Sequence, residues 1–192
     1  MRATFESWLH RQWTKRGLLA WALSPLSLVF LGIARNRRLK TKPHRLPVPV
    51  VVVGNIYVGG TGKTPVTIAL VKELVRRGYH PGVVSRGFGR KDDAPQMVLP
   101  DSPATKVGDE PLLIARQTRV PVAVARDRVA AALLLLDKHP ECDLIISDDG
   151  LQHYALARDV ELAVVGARGL GNGWVLPAGP LREPPSRLGE AD

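Results

Sequence analysis

The sequence predicts an α/β architecture, a mainly parallel sheet with helices on both faces, and three observations lead to it. From Pro47 onward, apolar runs of strand length alternate with stretches of helical spacing, the order of successive strand–helix units. The first run, residues 48–54, is apolar without alternation, as a strand covered on both faces should be. The helical stretches open or close on aspartate or glycine, residues that suit helix ends.

Taken in order, residues 48–54 form the first strand. A helix follows from Lys63, with Val66, Ala69, Leu70, Glu73, Leu74 and Arg77 at helical spacing and Gly78 as its stop. Residues 82–87 are the second strand, 109–117 a helix with Asp109 as its N-cap, and 120–125 the third strand. Asp127 opens a helix that runs to His139; residues 143–147 are the fourth strand and 160–166 the fifth. Crossovers between such parallel strands are right-handed. The Pro-rich segment 176–187 reads as an ordered loop, and the chain carries no repeat or low-complexity tract.

With 192 residues, 45% of them hydrophobic, the chain can bury one proper core. A single cysteine, Cys142, excludes an internal disulfide, and no cysteine–histidine spacing suggests structural zinc. The net charge of +9 sits entirely in residues 1–46, where ten Lys or Arg face Glu6 alone; residues 47–192 hold seventeen of each sign. Two regions follow, a basic arm over 1–46 and a neutral lobe over 47–192. This distribution argues against a nucleic-acid binder, and nothing points to a protein partner.

The arm holds an 18-residue uncharged run, residues 17–34, with Pro25 in its middle and cations on both flanks. As a helix the run would reach about 27 Å, slightly under a hydrocarbon core of roughly 30 Å. Upstream, Phe5, Trp8, Leu9 and Trp13 fall near one helical face, which suits a helix lying in the headgroup layer. Clustered cations beside aromatic and apolar residues fit attraction to anionic lipid. A pair of core helices would leave those cations unexplained, and no small-residue cleavage site marks a signal peptide.

Between the first strand and its helix the chain reads GNIYVGGTGKT. Glycines let successive backbone amides approach phosphate oxygens at the positive end of a helix, so Gly59, Gly60, Thr61, Gly62, Lys63 and Thr64 are candidate nucleotide-binding residues. Lys63 would reach the β- and γ-phosphates and Thr64 would hold Mg²⁺, while Pro65 suits the first helical turn. The strict pattern would need glycine at position 57, and Tyr57 stands there, so the motif is a variant P-loop within a P-loop NTPase-like fold. The fourth strand ends in Asp148 and Asp149. Acids at a neighbouring strand end complete a magnesium shell in such proteins, and a solvated turn is the plainer reading of Asp-Asp-Gly.

Six motifs, VGNIYVGGTGKTP, VVSRGFGRK, VGDEPLLIA, ARDR, DDGLQHYALARD and LPAGPLREP, closely resemble the tetraacyldisaccharide 4′-kinase family of lipid A synthesis. The resemblance covers about residue 9 to the end. It implies ATP and Mg²⁺ as cofactors and transfer of the γ-phosphoryl group to the 4′-hydroxyl of a glucosamine disaccharide 1-phosphate carrying four acyl chains. It also implies a membrane-associated enzyme at the cytoplasmic face of the inner membrane, which makes the basic, apolar arm intelligible.

By that resemblance Asp109 accepts the hydroxyl proton, with Lys63 and Asp149 as the other catalytic groups and Glu110 joining Thr64, Asp148 and Asp149 around the metal. Read alone, Asp109 is equally an N-cap. Arg86, Arg128, His153 and Arg182 are candidates for phosphate or substrate contacts, since a guanidinium pairs bidentately with phosphate; surface ion pairs and a helix-surface histidine are the plainer alternatives. The resemblance further implies a second lobe, with a histidine partner for Asp109, beyond the point where this sequence stops. The chain alone is therefore expected to bind nucleotide weakly and to be a poor or inactive kinase. A membrane-associated P-loop ATPase switch with no small-molecule acceptor is the alternative from another class.

Overall fold

The computed structural model describes Trp8, residues 11–90 and residues 92–192. Packing divides the chain into two compact units. One gathers the described residues up to Thr41 with Asn55–Thr61 and Val165–Asp192; the other holds Lys42–Gly54 and Gly62–Val164.

The second unit is the predicted α/β structure. Among the described residues its sheet has six strands: β1 (Val50–Gly54), β2 (Pro81–Ser85), β3 (Gln96–Met97), β4 (Val122–Val124), β5 (Leu144–Asp148) and β6 (Val160–Ala163), in the order β3-β4-β2-β5-β1-β6. All pairings are parallel except β3 with β4. Alternate residues face opposite sides, and each side carries its own core. Val50, Val52, Val84, Ala123 and Ile145 join one cluster with Ala131 and Leu135. Val53, Val83, Val122, Val124 and Ile146 join the other with Ile68, Val71, Leu112 and Ile114. Helices thus cover both faces.

Numbering only elements of four or more described residues, the helices are α1 (Leu18–Lys40), α2 (Lys63–Arg76), α3 (Ala104–Val107), α4 (Asp109–Thr118) and α5 (Arg128–Lys138). Asp127 caps α5 as expected, accepting a hydrogen bond from the Val129 N–H at 2.9 Å. Asp109 is not the N-cap of α4. Gly108 is, at φ 90° and ψ 152°, and its side chain-free backbone lets α4 begin one residue earlier than a capping aspartate would. The antiparallel β3 was not expected; two residues are too few to show a period.

In the first unit α1 runs through Pro25 without ending. Proline lacks the N–H that would bond the Trp21 carbonyl, and the Ser24 hydroxyl donates to that carbonyl instead, at 2.8 Å. At 23 residues the helix is about 35 Å long and is long and apolar enough to cross a membrane. Ala20 and Ser27 are buried, while Leu18, Trp21, Leu26, Leu28, Val29 and Ile33 are exposed. Of the expected headgroup face, Phe5 and Leu9 lie outside the described residues. Trp13 is buried, its indole N–H donating to the Pro177 carbonyl at 3.1 Å, so it anchors the protein to itself. The loop after residue 175 ends in a 3₁₀ helix, Pro185–Glu190.

Candidate functional site

Sheet register brings the strand ends level. Val53 pairs with Asp148, and Ser147 with Val84, so that Asp148 and Ser85 both stand at the carboxyl edge where β1 gives way to its loop. In open parallel sheets ligands bind beyond this edge.

Asp148 is 1% exposed. The Thr67 hydroxyl donates to its Oδ1 at 3.0 Å and the Ser85 hydroxyl approaches its Oδ2 at 3.4 Å. Burial pushes its carboxyl up to about 6, with the Thr67 bond opposing, Glu110 and Asp149 adding to the rise, and Lys63 opposing it. Asp149 follows at φ 50°, and its Oδ1 lies 3.5 Å from the Lys63 Nζ at the first position of α2. Thr64 is next along that helix and half-buried. Gly150 has to be glycine, because a Cβ there would collide with the Ser147 hydroxyl. The two acids, Lys63 and Thr64 therefore share one unit and one sheet edge.

Arg128, the first residue of α5, is 3% exposed. Desolvation lowers its guanidinium to about 10, while Asp149 and Asp148 hold it up and Arg86 presses it down. One of its nitrogens donates to the Ala125 carbonyl at 3.1 Å; its Nε has no hydrogen-bond partner among the described residues. His153 is not a free surface residue: its Nε2 accepts the Arg128 backbone N–H at 3.1 Å and stands 3.6 Å from Asp127. Arg86 is exposed directly after β2. Asp109 and Glu110 are exposed at the start of α4, where a Cβ at Gly108 would lie 3.0 Å from Gly87, so this corner packs on the Gly87 turn. Glu110 is close enough to raise the Asp148 carboxyl. Among the described residues, no three His, Cys, Asp or Glu gather as a ready-made metal cage.

Residues 55–61 of the glycine loop belong to the first unit. Ile56 and Tyr57 are buried in a cluster with Val175 and Leu181, which accounts for a tyrosine where the strict motif has glycine. The Val58 N–H donates to the Pro180 carbonyl at 2.8 Å, and the Arg182 N–H to the Ile56 carbonyl at 2.6 Å. Arg182 is thereby fixed through its backbone in this unit, whereas Arg86 and Arg128 belong to the other. The Asn55 amide donates to the Thr61 hydroxyl at 2.7 Å. Gly60, Thr61, Tyr57 and the turn at 166–169 surround a concavity of about 170 Å³.

Sequence reading missed Thr67, Ser85, Asn55 and Arg158. Thr67 stands four residues after Lys63 and so on the same helical face, and Ser85 is a lone hydroxyl closing an apolar strand; both were available as signals. Arg158 donates to the carbonyls of Leu151, His153 and Leu156 and pairs with Glu161 at 2.8 Å. It clamps the turn that follows the acid pair.

Residues 19–192 match the family described as tetraacyldisaccharide-1-P 4′-kinase (LpxK). The chain is 59% identical over 191 residues to the tetraacyldisaccharide 4′-kinase of Herminiimonas arsenicoxydans, covering 97% of this chain and 54% of that protein. It is also 59% identical over 191 residues to that of Janthinobacterium sp. (strain Marseille), covering 97% of this chain and 55% of the relative. The crystal structure of LpxK from Aquifex aeolicus in complex with ATP aligns with a TM-score of 0.81 at 34% identity, over 91% of this chain and 57% of that one. This chain spans about half the length of the relatives it matches. It belongs to the tetraacyldisaccharide 4′-kinase family.

Proposed function

We propose that this chain carries the nucleotide-binding part of a lipid A 4′-kinase, which transfers the γ-phosphoryl group of ATP to the 4′-hydroxyl of a tetraacylated glucosamine disaccharide 1-phosphate. The observation that supports it most is the Lys63–Asp149 pair at 3.5 Å beside the buried Asp148, with an ATP-complexed relative of the same fold.

In this reading the amides of residues 59–64 cradle the phosphates and Lys63 neutralises the oxygens on which charge develops. Thr64, Asp148, Asp149 and Glu110 would offer hard oxygen donors of the kind Mg²⁺ takes. When bound, the ion would supply charge neutralisation for phosphoryl transfer. Asp109 takes the proton of the 4′-hydroxyl as the new O–P bond forms and the bond to the β-phosphate oxygen breaks, leaving ADP. Arg128, buried with an unpartnered Nε, and Arg86 offer donors to phosphate. Arg182 is a contact for the substrate, and His153 contributes by fixing the Arg128 backbone.

The arm, residues 1–46, would hold the lobe, residues 47–192, at the cytoplasmic face of the inner membrane, where both ATP and a lipid-anchored hydroxyl are available. The outward apolar side of α1 and the cations Arg35, Arg37, Arg38, Lys40, Lys42 and Arg45 that follow suit an anionic bilayer surface.

Replacing Asp109 by Asn, in a protein spanning the full length of the relatives, tests the assignment, with lipid phosphorylation and Mg-ATP affinity both measured. Phosphorylation should fall at least about 10²-fold with affinity retained. Undiminished phosphorylation would refute the role of Asp109, and ATP hydrolysis with no lipid acceptor would favour a membrane-associated ATPase switch.

A further inference from the structure

Ser27 interrupts the apolar sequence of α1 at its midpoint. A serine in a helix usually faces out or bonds a carbonyl of its own preceding turn. This one is buried, and its hydroxyl reaches elsewhere, donating to the Val175 carbonyl at 2.9 Å and accepting the Ala178 N–H at 3.1 Å.

Residues 174–182 form a strap closed on itself, with the Leu176 N–H bonded to the Leu181 carbonyl at 2.8 Å and the Leu181 N–H to the Trp174 carbonyl at 3.1 Å. The Asn172 side chain fastens it further, donating to the Ala178 carbonyl at 2.9 Å and accepting the Trp174 N–H at 3.0 Å. Its far side ladders onto the first half of the glycine loop, through the Val58 and Arg182 bonds described above and the antiparallel bridge of Tyr57 with Leu181. Phe30 and Leu31 of α1 pack on the same cluster as Ile56 and Tyr57, and Trp21 meets Trp174 edge-on at 4.9 Å.

The chain of contacts runs from Ser27 to the strap at 175 and 178, and from the strap at 180–182 to residues 56–58. Those loop residues carry no regular secondary structure, and three residues separate Val58 from Gly62. We propose that Ser27 is a positioning residue: it pins the strap, the strap sets the path of residues 56–58, and that path sets how well the following amides and Lys63 hold phosphate. The apolar helix would then serve nucleotide binding as well as the membrane. Removing the hydroxyl leaves the Ala178 N–H unpaired and takes one of two donors from the Val175 carbonyl, which keeps only the Gly179 N–H at 3.0 Å; the strap can relieve the orphaned N–H only by shifting. The inference rests on the reading of residues 59–64 as a nucleotide cradle.

The test compares Ser27→Val, Ser27→Ala and Ser27→Thr with the unaltered protein in lipid-free micelles. Mg-ATP affinity, hydrogen exchange at the Val58 and Arg182 amides and thermal unfolding are read together. Ser27→Val and Ser27→Ala should weaken Mg-ATP binding by about tenfold and speed exchange at both amides, and Ser27→Thr, which keeps the hydroxyl, should restore both. Ser27→Ala adds no bulk and gives the same readouts should the valine variant fail to fold. Unchanged affinity, or a lower unfolding temperature with affinity and exchange intact, overturns the pin. Lys63→Ala serves as the separate control: if it leaves Mg-ATP binding intact, the cradle reading fails, whereas exchange at Val58 still reports on the pin.

Discussion

In the sheet unit, Val50, Val52 and Ile145 face one core and Val53, Val83 and Ile146 the other, so strand residues find apolar partners simply by alternating. In the unit containing α1, the side chains of Ser27, Trp13 and Arg16 bond instead to backbone groups far away in the chain. Burial of apolar area is non-directional and follows from pattern. Directional bonds to distant backbone need particular atoms at particular points, and no period announces them. The first kind of cohesion should fail by lost volume, the second by lost single bonds.

Substitutions at four positions would break or sharpen that contrast. The largest effect is expected at Ile146, fully buried in the central strand β5: Ile146→Ala should cost about 3–4 kcal/mol in denaturant unfolding through lost burial and a cavity. A loss under about 1 kcal/mol would mean that packing does not dominate this unit.

Asp148→Asn should act in the opposite direction. The folded carboxyl sits at about 6, above the ordinary 3.8, so below roughly pH 4 both states are protonated and burial carries no charge penalty. As pH rises from about 4 to about 6, the unfolded chain ionises while the buried carboxyl holds its proton, so stability is lost across that window and the loss is complete above about 6. The Asn variant escapes this, so at pH 8 it should be more stable by about 3 kcal/mol and the gain should vanish near pH 4. Equal gains at both pH values would show that burial of charge is not the cause. Lost Mg-ATP binding alongside gained stability would mark a site that trades one for the other.

Arg158→Ala should cost about 2 kcal/mol, since it removes the guanidinium from the Glu161 carboxylate and from the carbonyls of Leu151, His153 and Leu156. Arg158→Lys should not restore it, because a single ammonium cannot reproduce a planar fork; full rescue by lysine would reduce the clamp to a simple ion pair. The smallest change is expected for Trp13→Phe, about 1 kcal/mol for one indole bond to Pro177, seen as a slight drop in unfolding temperature. No drop would remove Trp13 from the bonds that hold its unit.

Much of the sheet was legible because its cause is local. The uninterrupted apolar run before Gly54, the Asp127 cap and the acids closing β5 each follow from residues adjacent in sequence. Lys63 and Asp149, singled out from their places beside the first helix and the fourth strand, stand 3.5 Å apart. What was hidden depends on conformation or on distance. The N-cap of α4 fell to Gly108 because φ 90° suits glycine, while aspartate has the stronger general preference for that position. Thr67 and Ser85 matter only because the register sets them beside Asp148. Tyr57 looked like a flaw in a phosphate loop until its ring was found buried with Leu181.

The most direct test of the central claim replaces magnesium by Mn²⁺ in the presence of ATP and follows paramagnetic broadening of backbone amides. The account predicts broadening of Lys63, Thr64, Asp149 and Gly150, abolished by Lys63→Ala. Broadening centred on other residues, or none at saturating Mn-ATP, would contradict it.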